Sequence, residues 1–545
     1  MDRRDFLKKS LVLGGTAGIA IATGDAEAKE ALAGAAGVRR PRCPRKADIL
    51  IKAGELYDGV NPLPVTSDIA IVADRIVYVG KANPKIESRC KAAKVIDATG
   101  YVVCPGFIDP HCHLESLLLK EKTNEPYLRM GVTTVIAGMC GGSQYPLSDY
   151  YGKLESQGIG TNTASFTGHN TIRSKVMGQE DRFATKEEIA RMQELMRKDL
   201  DEGSFGLSSG LYYVPGCFSE QNEVVELCKT IAPVGGIYTT HVRNENKYGI
   251  GLYNSIVEAL EIGKSAGVQV NISHIKCLGK GVWYQSDKII DTIEKYQKEG
   301  MKVTADQYPY LASGLALASA VTPAWSRDGG LAGLKKRVKD PDTLAKIKAE
   351  MVDLIDERGG AETIMITARA NEYNGKTLAQ AASMLGMDAV DAALKLVCDY
   401  NAYSNTFVMN EKDVVNYMTR PWVMSCSDGT FGAHPRAAGT YAELIQKYVV
   451  EKGVLPLSAF IRRSTGLVAE TYHIKDRGVI REGAFADVTV FRPSEVRANA
   501  TYTAAKLLSE GFKNVIVNGQ VAVEDDKYLG TLSGKVIRRG VDTTI

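Results

Sequence analysis

Eight short, apolar, β-branched runs that end in polar residues constrain this chain more than any other feature. They end near His113, Cys140, His169, Gly210, His241, His274, Tyr310 and Asp428. Between most of them lie amphipathic segments with helical spacing, such as 186–202, 220–232 and 286–299. Strands alternating with helices predict an α/β fold with a parallel sheet, and eight such units predict a (β/α)₈ TIM barrel. The link between the seventh and eighth runs is too long for one helix. It carries Trp325, charged helical stretches and Tyr373, and predicts an inserted subdomain at about 312–415. Both flanks read as short strands, at 48–51, 69–72 and 76–79 before the barrel and at 486–491 and 515–521 after it. The expected order is a first part of a small β-sandwich at 47–104, a barrel at 105–475 and a second sandwich part at 476–545.

The first 28 residues read as an address. Arg3-Arg4-Asp5-Phe6-Leu7-Lys8 is a twin-arginine pattern, residues 11–23 are mildly apolar, and Ala26-Glu27-Ala28 suits a signal peptidase. Such a segment predicts export of the folded chain by the twin-arginine (Tat) machinery and a periplasmic location. The remaining body carries no span suited to a membrane, so no stable membrane association is expected after the signal is removed. Net charge is +3 and the body has no basic run, which excludes a nucleic-acid partner recognised by bulk charge. Ten cysteines without a CxxC pair do not form a disulfide framework.

Barrel enzymes do their chemistry at the C-terminal ends of the strands. Five of the seven histidines fall at such ends: His111, His113, His169, His241 and His274. Alternation along a strand puts His111 and His113 on one face. Together with Cys140 and Asp428 they make a set of imidazole, thiolate and carboxylate ligands suited to Zn²⁺. Cys112, Cys277 and Cys426 sit beside ligands, point away by alternation, and are expected in the core.

The motif Pro105-Gly106-Phe107-Ile108-Asp109-Pro110-His111-Cys112-His113 resembles the first strand of the amidohydrolase superfamily. Gly138-Met139-Cys140-Gly141, Gly168-His169-Asn170, Thr240-His241-Val242-Arg243-Asn244-Glu245, Ser273-His274-Ile275-Lys276, Ser427-Asp428-Gly429 and His434-Pro435-Arg436 resemble more narrowly the D-aminoacylase (N-acyl-D-amino-acid deacylase) family. The resemblance runs from about residue 47 to residue 539. Many amidohydrolases bridge two metals with a carboxylated lysine on the fourth strand. Here that strand, 204–212, has no lysine, and Cys140 can supply the anionic bridge. The resemblance implies a tight zinc site from Cys140, His241 and His274. A weaker second site would use His111, His113 and Asp428 with Cys140 shared.

Zinc-activated water would then cleave the amide of an N-acyl-D-amino acid, with Asp428 as general base and acid. The small-molecule substrate carries a free α-carboxylate. Lys276, Tyr308 and Arg436 are expected to meet it, and His169 is either a substrate contact or a structural support. Arg243 and Glu245 read as an ion pair near the mouth, and Glu115 as support for the first-strand ligands. Two other readings stay open: a hydrolase of cyclic amides or a deaminase, and a catalytically inactive barrel that serves as a binding scaffold.

Overall fold

The computed structural model describes residues 43–430 and 434–545; the twin-arginine segment lies outside the described residues. Among the described residues no helix is long and apolar enough to cross a membrane.

Parallel strands form the middle of the molecule. Phe107–Asp109 pairs with Val132–Ala137, which pairs with Asn162–Ser165. Every residue of Val132–Ala137 is buried, as a strand covered on both faces requires. Beyond Phe166 the third strand continues as Thr167–Gly168 and pairs with Gly206–Gly210. Ile237–His241, Val270–Ile272, Val303–Gln307 and Val423–Ser425 follow in parallel order. Backbone bonds then return to the start: Asp428 N donates to His111 O at 2.8 Å, and His113 N to Gly429 O at 2.9 Å.

Helices Leu147–Gln157, Lys186–Asp201, Gln221–Ile231, Gly251–Ala266 and Ser286–Lys298 separate these strands. Lys186–Asp201 starts where its sequence says it must. Thr185 and Glu188 form a reciprocal capping box, which satisfies two backbone donors that a helix start leaves open. Leu227, Ile256, Leu260 and Ile289 bury their apolar faces in one core with strand residues Leu207, Val270 and Val303.

Between the seventh and eighth strands a second small core forms. An antiparallel sheet with Tyr403–Phe407 between Ala312–Ala316 and Ile364–Ala368 is flanked by helices that include Pro341–Glu357 and Ala389–Tyr400. Leu317, Ile347, Met351, Ile364 and Leu396 fill it.

The two ends of the described chain share one hydrogen-bonded sheet of nine strands. Lys46–Leu56 pairs antiparallel with Val65–Val72 and parallel with Val102–Pro105, which in turn pairs with Val488–Phe491. The run 515–521 is not one strand. Asn518 (φ 47°) and Gly519 (φ 77°) turn it into a hairpin between Phe512–Val517 and Gln520–Glu524. Both residues sit in the left-handed region that such a two-residue turn needs, and Asn-Gly is the pair that adopts it most readily.

Candidate metal centre

The ligand-type side chains sit just beyond strand ends, on sharply bent backbone. Cys140 (φ 51°), His274 (φ 35°) and Asp428 (φ 49°) are all in the left-handed region, which non-glycine residues rarely occupy. Strain of this kind persists only where the surroundings over-determine it, and it clusters at functional sites. Gly138 and Gly141 let the Cys140 loop make its bend. A methyl group on Gly138 would strike the Phe166 carbonyl, and one on Gly141 would strike the Asn170 side chain. Gly138 N also donates to Glu115 Oε1 at 2.6 Å, which ties that carboxylate to the loop.

Two sets of ligand atoms converge. His111, His113, Cys140 and Asp428 form one, and Cys140, His241 and His274 the other; within each, the atoms lie within 4.8 Å of one another. Cys140 Sγ stands 3.3 Å from both His111 Nε2 and His274 Nε2, so it belongs to both sets. His241 is buried, yet neither ring nitrogen has a hydrogen-bond partner. A buried imidazole left open in this way fits a metal ligand. Burial also pushes the Cys140 thiol well above its ordinary pKa, with the charge of Asp428 adding to the effect. A coordinated cation reverses that balance and holds the sulfur as thiolate. The residues present therefore fit a bound divalent metal.

A second layer of carboxylates aims the rings. Asp306 Oδ1 lies 3.2 Å from His111 Nδ1 and accepts from His274 N at 2.7 Å. Glu245 Oε1 lies 3.2 Å from His274 Nδ1. Carboxylates behind ligating histidines set their tautomer and raise their basicity. Burial would raise the pKa of Glu245, but Lys276, His241 and His274 hold it well down. Burial likewise opposes ionisation of Asp428. The charges of Arg436, His274 and His111 and the hydrogen bond with His113 together outweigh it and keep the carboxyl well below the usual range. For His113, burial favours the neutral ring, while the hydrogen bond and charge of Asp428 win and raise it.

The expected substrate residues divide. A cavity of about 440 Å³ opens onto the ligands and is lined by Cys140, His241, Lys276, Tyr308 and Arg436 among others. Tyr308 presents a buried hydroxyl without a hydrogen-bond partner. Arg436 Nη1 donates to Asp428 Oδ2 at 2.6 Å and Nη2 to Gly314 O at 3.1 Å, while Nε has no partner. Lys276 is not a free cation: Nζ donates to Glu245 Oε1 at 2.5 Å and lies 2.8 Å from His274 Nδ1. His169 does not line this cavity. Its Nε2 is 2.7 Å from Glu223 Oε1, which also accepts from Arg173 Nε at 3.0 Å, so the ring is held in a buried cluster with Glu223 and Arg173. The expected Arg243–Glu245 pair does not form, because Arg243 is held by Glu258 at 2.8 Å. Cys112, Cys277 and Cys426 are buried.

Sequence reasoning missed Asp306 and Arg358. Asp306 had a signal, a carboxylate inside the apolar run 303–307. Arg358 had none, since it reaches the cavity from the long segment between Val303–Gln307 and Val423–Ser425.

No family model matches the chain. It is 30% identical over 521 residues to the N-acyl-D-glutamate deacylase of Alcaligenes xylosoxydans xylosoxydans, spanning 91% of this chain and 97% of that protein. The chain belongs to the D-aminoacylase family. A crystal structure of D-aminoacylase, which defines a subset of amidohydrolases, matches with a TM-score of 0.77 at 30% identity over 90% of this chain and all of that one. The N-acyl-D-glutamate deacylase of Bordetella bronchiseptica, solved with zinc and a phosphonate mimic of the tetrahedral intermediate, matches with the same TM-score at 27% identity, again over 90% of this chain and all of that one. The fold of this D-aminoacylase family member is α/β of the TIM-barrel type, and the protein is a metal-dependent amidohydrolase.

Proposed function

We propose that the protein hydrolyses N-acyl-D-amino acids to a carboxylate and a D-amino acid, with zinc at the ligand sets built around Cys140. The observation that carries this reading is the shared sulfur: one thiol stands 3.3 Å from imidazoles of both sets, in a cavity that also holds Asp428, Tyr308 and Arg436. Two of the relatives named above are N-acyl-D-glutamate deacylases, and one of these was solved with zinc. We place the tight site at Cys140, His241 and His274 and a weaker one at His111, His113 and Asp428, with Cys140 common to both.

A cation bound there supplies Lewis acidity to the attacking water and to the amide carbonyl. Asp428 takes the proton of the water and passes it to the departing amine nitrogen. Arg436 and His113 hold its two oxygens, so the carboxylate stays in one orientation, ionised and ready to accept. The free Arg436 Nε and Tyr308 hydroxyl are buried donors that the substrate's α-carboxylate satisfies. Lys276 spends one N–H on Glu245, and its positive charge still faces the cavity.

The architecture reads as a closed (β/α)₈ barrel, a subdomain inserted before the eighth strand, and a small terminal β-domain of sandwich type. The last is supported by Ile51, Ile71, Val103, Val490 and Ile516, which share one core. Residues 1–28 would deliver the folded enzyme through the Tat machinery to the periplasm. Replacing Arg3 and Arg4 by lysine tests this: the protein should stay in the cytoplasmic fraction, and unchanged periplasmic recovery would reject it.

The activity is tested with purified zinc-loaded protein on paired N-acetyl-D- and N-acetyl-L-amino acids, with a hydantoin and dihydroorotate as controls. Turnover confined to the cyclic amides would sink the proposal.

A further inference from the structure

A second cavity, also of about 440 Å³, lies beside the first and shares Tyr212 and Ser319 with it. None of the metal-ligand side chains lines it. Its wall carries charge of both signs, from Arg327, Glu350 and Asp353.

Arg327 closes the short helical turn Ala324–Arg327 and is only 8% exposed. Nη1 donates to Ser319 Oγ at 3.2 Å, and Nε is enclosed without a partner. Nη2 makes no hydrogen bond among the described residues and is not enclosed, so its N–H groups are left to the cavity. Burial lowers the pKa of Arg327, and the groups that oppose this are Tyr212, Cys217 and Tyr213, none of them a carboxylate. A guanidinium keeps its proton even so, and a buried one is costly unless an anion completes it.

The carboxylates of this wall are unanswered too. Glu350 and Asp353 stand three residues apart on the helix Pro341–Glu357 and so share a face. Glu350 accepts from Trp325 Nε1, a neutral donor, at 3.0 Å, and Asp353 is exposed. Nearby bases are engaged elsewhere: Lys348 pairs with Asp391, and Lys346 lies over the Trp325 ring at 4.5 Å without lining the cavity. The buried end of the wall is thus cationic and the end nearer solvent anionic. A simple anion or a simple cation answers one half of it, while a zwitterion answers both.

We propose that this second cavity binds a free α-amino acid, with its carboxylate on Arg327 and its ammonium at Glu350 and Asp353. The amino acid released at the metal centre then has a separate site beside it; that clause rests on the deacylase reading, and the binding itself does not.

The test is calorimetric titration of the zinc-loaded protein with three probes of one skeleton: D-leucine, 4-methylpentanoate, which lacks the ammonium, and 3-methylbutylamine, which lacks the carboxylate. D-leucine should bind at least about 10-fold more tightly than either. Arg327→Met should weaken D-leucine by about 10- to 100-fold, and the double variant Glu350→Gln/Asp353→Asn by about 10-fold, with the initial-rate kcat/KM for N-acetyl-D-leucine unchanged in both. If Arg327→Met does not fold, the double variant and the wild-type comparison of probes decide. No binding of D-leucine, equal binding of 4-methylpentanoate, an affinity untouched by the variants, or a parallel fall in kcat/KM that places D-leucine in the metal cavity overturns the inference and leaves the deacylase reading standing. Binding as expected in a protein that turns over no N-acyl-D-amino acid keeps the site and overturns the deacylase reading.

Discussion

Asp428 is asked to do three things at once. It shares an oxygen environment with His111 and His113, at 3.4 and 3.0 Å, and it answers the charge of Arg436. In the proposed mechanism it is the proton carrier. Asp428→Asn keeps the volume and loses the base, so kcat should fall by roughly 10²- to 10⁴-fold with the circular-dichroism spectrum unchanged. Near-normal turnover would remove Asp428 from the proton path. Glu245 acts one step further out, through His274 and Lys276. Glu245→Gln should weaken metal binding by about 10- to 100-fold in a chelator competition, and recovery of activity at high metal should separate it from Asp428. An affinity equal to wild type would make Glu245 a partner of Lys276 alone.

Among the elements, the helix Lys186–Asp201 shows how a barrel unit is locked to its neighbours. Asp199 faces inward, accepts from Leu147 N at 3.0 Å and takes Thr167 Oγ1 at 3.1 Å. Burial pushes its carboxyl from the ordinary 3.8 up to about 6. The unfolded chain releases that proton near 3.8 while the folded chain holds it to about 6, so the folded state binds more protons in between. Stability therefore falls as pH rises across that window and levels off above it. Asp199→Asn should flatten this part of the curve in urea midpoints taken from pH 4 to 6. A slope identical to wild type would show that other groups set it.

For the whole molecule, one buried carboxylate takes part in the join between the terminal sheet and the parallel strands. Asp487 accepts from Asn162 Nδ2 at 3.1 Å and from Asn518 N at 2.8 Å, and it pairs with buried Arg477. Those partners belong to the third strand, the hairpin turn of the terminal sheet and the segment leading into it. Removing one side of a buried pair leaves an uncompensated charge, at about 3–5 kcal/mol. Asp487→Ala should lower the denaturant midpoint of the entire protein in a single transition. A separate early transition would mean that the terminal sheet unfolds alone.

Much of this was legible from residue order, because it depends on local rules. Period-two apolar runs and period-3.6 segments mark strands and helices wherever they occur. Helices marked at 186–202, 220–232 and 286–299 lie within about a residue of Lys186–Asp201, Gln221–Ile231 and Ser286–Lys298. Ligand-type residues stand out because imidazoles and thiols are scarce and fall at strand ends. What only the tertiary structure decided is which charge meets which. Lys276 turned to Glu245, Arg243 to Glu258 and His169 to Glu223, and Arg358 entered the cavity from the long link between two parallel strands. Electrostatic pairing acts over a few ångströms of space and ignores separation along the chain, so no spacing rule records it.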